Sequence, residues 1–211
     1  MKKTLTFLFL LLFISYGFSQ NIIISEVADG TGAGGYPKIV ELTNTGSSDA
    51  ILDGMKLRMY ANGNPTAGTP YVIASYTLPA GESLVLTNMD NITAGQLWSD
   101  FSLTAPAHVL YSVGAVNSNG DDVYELLDAT DVPVDVYGVI GADGTGLAWE
   151  FLDSYAYRNN NITEGNTTFT ESEWTFAGAD FLDPHAADLS PYLSPGTHSF
   201  NPSTAPLISN I

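Results

Sequence analysis

Apolar residues in this chain come in short runs, roughly five to eight residues long, that alternate with polar ones and stop at Gly, Asn, Asp or Pro. An amphipathic helix needs apolar positions every three or four residues over several turns, and that rhythm is scarce here. Period-two alternation instead predicts strands over residues 22–28, 37–43, 55–60, 71–78, 83–87, 109–116, 122–128 and 132–137, with weaker signals at 155–158 and 175–176. Asp29-Gly30, Asn44-Thr45-Gly46, Asp53-Gly54, Asn62-Gly63, Pro79-Ala80-Gly81 and Asn119-Gly120 separate them, each made of residues that favour tight turns. Short strands at this spacing predict an all-β fold, an antiparallel β-sandwich.

Alternation also assigns faces. In "KIVELTN" (38–44), Val40 and Leu42 are expected to point to the core and Ile39, Glu41 and Thr43 away from it. In "VPVDVYG" (132–138), Val132, Val134 and Val136 share one face, which leaves Asp135 and Tyr137 on the other. Such strands belong to sheets with one buried and one solvated face.

Residues 1–19 stand apart as a signal peptide. Lys2 and Lys3 precede the apolar run from Leu5 to Ile14, and Gly17 and Ser19 are the small residues expected for cleavage before Gln20. The apolar run is shorter than the roughly 20 residues that span a bilayer, so no membrane span is expected after its removal. The absence of cysteine excludes a lipid-modified cysteine anchor. The expected destination is secreted, extracellular or cell-surface associated. The remainder holds all 23 acidic residues against four cations, Lys38, Lys56, Arg58 and Arg158. Phosphate backbones are bound through Lys and Arg, so direct nucleic-acid binding is not expected. A chain of this size can build a core without disulfides.

After Arg158 the texture changes. Residues 159–173 read as an exposed loop, and 183–206 carry five prolines that read as an extended wrap-around or a linker. The closing "PLISNI" is strand-like, so 201–211 are expected to be a linker or the start of a further domain, after a sandwich domain at 20–200.

Taken in order, "IIISEVADG", "YPKIVELTNTGSSDAILDGMKLRMYANGN", "LPAGESLVL", "NGDDVYELLD", "VDVYGVIGADGTGLAWEFLDSYAYR" and "EWTFAGADFLD…PGTHSF" resemble bacterial secreted lamin-tail domains. The resemblance spans about residues 21–200 and implies an immunoglobulin-like antiparallel β-sandwich without catalytic residues of its own. The version with "AWEFLDSYAYR" and "EWTFAG" is most similar to the one attached to extracellular nucleases. No His-Asp-Asn constellation of a phosphodiesterase is assembled by these residues, so no nuclease activity is carried over.

Three stretches invite chemistry. "NSNGDD" (117–122) reads first as a turn, because Asn119-Gly120 between strands is a type I′ hairpin signal. Asp121 and Asp122 then point to opposite faces, which disfavours a catalytic acid pair aimed at one bond. The alternative is calcium held by Asn117, Asn119 and Asp121, oxygen ligands of the kind that ion takes, although the terminal Glu of a full EF-hand loop is missing. "GADGTGLAWEFLD" lacks the helix and the basic residue of a phosphate loop, and reads as a connection that carries Trp149 into the core. Among Trp98, Trp149, Trp174 and the tyrosines, Tyr155 and Tyr157 are the pair to test as a sugar platform. His108, His185 and His198 are scattered, with "DPHAAD" (183–188) a weak ligand candidate, and Arg158 is expected to pair with a carboxylate. No catalytic residue and no cofactor other than that calcium alternative are expected.

The leading expectation is a secreted, non-catalytic accessory module that meets a protein or cell-surface partner. The second is the N-terminal domain of a secreted metal-dependent nuclease or phosphatase, a tethered hydrolase whose catalytic part lies beyond Ile211. The third is a calcium- or glycan-binding adhesion module.

Overall fold

The computed structural model describes residues 21–32, 34–89, 101 and 108–200. The expected signal peptide, Trp98 and residues 201–211 lie outside the described residues. Among the described residues twelve strands follow one another: β1 (Ile22–Asp29), β2 (Lys38–Asn44), β3 (Ala50–Ile51), β4 (Lys56–Tyr60), β5 (Tyr71–Val72), β6 (Thr77–Leu78), β7 (Ser83–Thr87), β8 (Val109–Leu110), β9 (Val123–Leu127), β10 (Pro133–Tyr137), β11 (Ser154–Arg158) and β12 (Trp174–Phe176). Two sheets carry the fold, one in the order β12-β11-β1-β2-β7-β8 and one in the order β10-β9-β4-β5, while β3 and β6 form a small ribbon. Every pairing is antiparallel except β7 with β8. The result is the expected all-β, immunoglobulin-like sandwich, and no α-helix occurs among the described residues.

The main core lies between the sheets. Ile22, Ile24, Val27, Val40, Leu42, Leu84 and Leu86 of the larger sheet meet Leu57, Val123, Tyr124, Leu126 and Tyr137 of the smaller one. Tyr137 sits at its centre, edge-on to Trp149, Phe151, Phe169 and Trp174, the geometry that aromatic quadrupoles favour. Trp149 reaches this core as expected. A Cβ on Gly144 would stand 2.6 Å from the indole ring, so the glycine makes room for it.

Two bulges set the faces, one on β1 and one on β10, and the second corrects the alternation read for residues 132–138. On β1 the register passes from Ile24 opposite Leu42 to Glu26 opposite Glu41, leaving Ser25 as the extra residue. Ile22, Ile24 and Val27 therefore face the core, and Glu26 is turned to the outer face. On β10 the register skips Val134, between Pro133 and Asp135. Asp135 and Tyr137 are both buried, whereas Val132 is 54% exposed. The expected split into one buried and one solvated face thus fails here, because Val136 is buried together with Asp135 and Tyr137 while Val132 is left in solvent. Asp135 is held inside by an ion pair, and the Tyr137 hydroxyl by a 2.6 Å bond to the Trp149 carbonyl.

The outer face of β2 is likewise not solvated. Ile39 packs with Ala28, Val85, Val109, Leu182 and Leu193 in a second apolar layer, so the larger sheet is covered on both sides. Residues from the proline-containing stretch supply that cover, which favours the wrap-around over the linker for residues up to 200. The edge of β10 is covered too: the Val136 amide donates to the Asn166 carbonyl, and a Cβ on Gly165 would stand 2.4 Å from the Val134 carbonyl oxygen.

The hairpin at Asn119-Gly120 does not form. Strand β9 pairs with β4 and β10, while β8 pairs with β7. Gly120 has φ +94°, but Asn119 is not left-handed, as a type I′ turn would require. That turn forms at Asn62-Gly63 instead, with φ +49° and +70° and a 2.9 Å bond from the Asn64 amide to the Ala61 carbonyl. Gly120 serves a tertiary purpose. Its carbonyl accepts the Phe151 amide at 2.7 Å, and a Cβ there would lie 2.1 Å from the Leu152 nitrogen. Gly120→Ala is expected to cost roughly 3–5 kcal/mol in chemical denaturation, because clash adds to backbone strain. Gly81→Ala, at φ +80° with nothing within 4 Å of the added Cβ, isolates the strain and is expected to cost about 1–2 kcal/mol.

Candidate functional site

The segment 117–122 folds inward, held by its neighbours. The Lys38 ammonium donates to the Ser118 carbonyl and to the Asp29 carboxylate, and the Ser118 amide donates to the Tyr124 hydroxyl. The Asp122 carboxylate accepts the Asn62 amide at 2.7 Å, and burial pushes it above its ordinary range. Asp121 accepts the Thr145 hydroxyl on Oδ2 at 3.1 Å, while its buried Oδ1 has no partner among the described residues. Asn117 and Asn119 are exposed, and Asn117 accepts the Asn88 side-chain amide. The two acids thus anchor different loops, which is turn and docking chemistry.

Arg158 finds the carboxylate partner expected of it, and a second one. Asp135 on β10 and Arg158 on β11 have fully buried side chains and bridge the two sheets through paired contacts of 3.1 Å. Asp135 also accepts the Ile24 amide at 2.7 Å and the Asn166 amide at 2.9 Å. Burial raises its carboxyl above the ordinary value, opposed chiefly by Arg158. The guanidinium reaches Glu173 at 2.8 Å and lies over the Trp174 ring, 4.9 Å from its centroid.

The other cations are engaged in the same way. Lys38 pairs with Asp29, Lys56 with Asp131, and Arg58 with Glu125, which also accepts the Tyr60 hydroxyl. All four cations beyond residue 20 are therefore consumed internally. The solvent-facing charge that remains is acidic.

Tyr155 and Tyr157 lie on the outer face of the larger sheet, with ring planes 43° apart. Phe181 packs edge-on to Tyr155, and the Tyr157 hydroxyl donates to the Tyr192 carbonyl, so both rings lie against residues 181–192. Asp183 of "DPHAAD" gathers with Asp153 and Asp180, their carboxylate oxygens within 4.8 Å of one another. His185 instead meets the Tyr192 hydroxyl at 2.9 Å. Separate stretches of chain supply that acidic trio, so no local motif announces it. A cavity of about 610 Å³ is lined by Asn21, Thr45, Gly81, Glu164, His198 and Phe200, among others. Burial there holds His198 neutral, with a pKa of about 4.

Arg158→Lys is expected to cost about 2–3 kcal/mol in denaturant unfolding, since an ammonium cannot serve Asp135 and Glu173 together or stack on the indole as a guanidinium does. A loss below about 0.5 kcal/mol, the level of an ordinary surface substitution, would show that the fork geometry is unimportant.

Comparison with known proteins adds one finding. A family model described as Lamin Tail Domain matches residues 18–141, more than half of the chain. No curated protein matches the sequence significantly. The match ends before β11 and β12, which nevertheless complete the larger sheet.

Proposed function

We propose that this chain, which belongs to the lamin tail domain family, works as a secreted accessory module that engages a protein or cell-surface partner. The family is one of non-catalytic, immunoglobulin-like domains, which supports the reading without naming the partner. The observation that carries it is the complete internal pairing of the four cations. Among the described residues no guanidinium or ammonium is left free to clamp a phosphate, and phosphate contacts dominate nucleic-acid affinity. Its means of recognition are loops and the outer face of the smaller sheet, since the larger sheet is covered on both sides.

A second reading rests on the nuclease-like resemblance of "AWEFLDSYAYR" and "EWTFAG": the module accompanies a secreted metal-dependent hydrolase and positions its catalytic part. Both readings make the same statement about these residues. The purified chain is expected to leave duplex DNA intact with added magnesium and not to retard it in a gel. Cleavage that tracks the purified chain through chromatography would overturn the non-catalytic role.

Calcium at residues 117–121 is the remaining alternative, and the unpartnered Asp121 Oδ1 is what favours it. Because Asp121 turns towards Thr145 while Asn117 and Asn119 face solvent, thermal melting is expected at the same midpoint in calcium and in chelator. A higher midpoint in calcium that Asp121→Ala abolishes would install the ion at this loop.

A further inference from the structure

Residues 178–197 run back over the outer face of the larger sheet. The strap starts with backbone bonds from the Asp180 amide to the Leu152 carbonyl at 2.8 Å and from the Leu182 amide to the Asp153 carbonyl at 2.9 Å. Leu182 and Leu193 then enter the second apolar layer, against Ala28, Ile39, Val85 and Val109. Its far end rests on two carboxylates.

Glu26 and Glu41 are direct cross-strand partners on β1 and β2, each about 1% exposed. The bulge at Ser25 is what turns Glu26 onto this face. Glu26 accepts the Ser194 amide and hydroxyl at 3.4 and 3.5 Å, and Glu41 accepts the Gly196 amide at 2.5 Å. The Ser25 hydroxyl donates to Glu41 at 2.6 Å, and Thr43 links onward to Ser83 of β7. Tyr155 and Tyr157 of β11 face the pair: burial and then the Glu26 charge raise both phenols, and Glu41 adds to the effect on Tyr157. No cation lies within ion-pair distance of either carboxylate among the described residues, since all four are paired elsewhere.

We propose that residues 178–197 form a pH-gated strap, docked over the Glu26–Glu41 pair in acid and released as both carboxylates ionise in neutral to mildly alkaline solution. The geometry forces the conflict. Two like charges buried side by side without a counter-ion repel each other, and lifting the strap is the simplest way to hydrate them. Burial is the main cause that raises both groups, with the Glu41 charge further raising Glu26, while the strap amides and hydroxyls only partly offset it. Glu41 is pushed up to about 7.

The sign follows from linkage. The docked form holds protons that the hydrated carboxylates of the open form release near their ordinary values, so docking is strongest in acid and weakens as pH rises through about 7. The other end adds to the effect. Asp153 is raised by burial and then by Asp183 and Asp180 of the strap, against the lowering influence of Lys38. Asp29, beside Lys38 and Asp153, is raised to about 6 by burial. This gating is independent of which partner the module binds.

Hydrogen–deuterium exchange of the purified chain, in chelator at pH 5.5 and pH 8.5 with labelling times scaled to the intrinsic exchange rate, tests it. Protection of peptides within 178–197 is expected to fall roughly tenfold or more relative to β4 and β9 peptides, tenfold being what one unit of pKa shift carries. Glu41→Gln, which keeps the shape and the acceptor without the charge, is expected to retain strap protection at pH 8.5. Glu26→Gln provides the same reading should the first variant fail to fold. Unchanged strap protection in the wild type, equal loss in the β4 and β9 peptides, or an undiminished pH response in the folded Gln variant would each overturn the proposal.

Discussion

Asp135 and Arg158 join the two sheets. A carboxylate and a guanidinium removed from water carry a desolvation cost of several kcal/mol each, which only dense hydrogen bonding offsets. Asp135 supplies that density by drawing on β1 through Ile24, on β11 through Arg158 and on the loop over its own edge through Asn166. Arg158 carries the chain of contacts to Glu173 and Trp174, and so to β12. The sheet packing, the covered edge of β10 and the seating of the last strand all meet at this pair. A one-residue slip in β10 would leave a buried charge without its partner, so the pair fixes register as well as holding the sheets together.

The same economy shapes the surface. Lys38 anchors the segment 117–122 through Ser118, and Arg58 and Lys56 stay on the smaller sheet with Glu125 and Asp131. The four cations among the described residues all sit in structural pairs, against a large excess of carboxylates. Such a surface repels polyanions.

Most strands were legible because period-two alternation is a local property. Residues 22–29, 38–44, 56–60 and 83–87 all fall where the pattern places them. Faces were less legible, because a single bulged residue reverses every position beyond it. Ser25 and Val134 carry no local mark of that role. The pairing of Asp135 with Arg158 was foreseen only as some carboxylate for an isolated cation, since the partner lies 23 residues away and across the sandwich. Asn119-Gly120 carries a strong hairpin signature, yet close approach of the Leu152 backbone explains its glycine. The identical dipeptide at 62–63 makes the turn. The carboxylate pair under residues 194–197 and the trio at Asp153, Asp180 and Asp183 are products of tertiary folding, invisible to spacing.

A double-mutant cycle on Asp135 and Arg158, each replaced by Ala, measures the joint most directly by denaturant unfolding. If the buried pair carries the fold, each single variant is expected to lose about 3–5 kcal/mol, because it strands a charge in the interior. The double variant should then lose roughly 2–3 kcal/mol less than the sum of the two. Losses that add to within about 0.5 kcal/mol would contradict the account, showing that the two residues act separately and that apolar packing alone aligns the sheets.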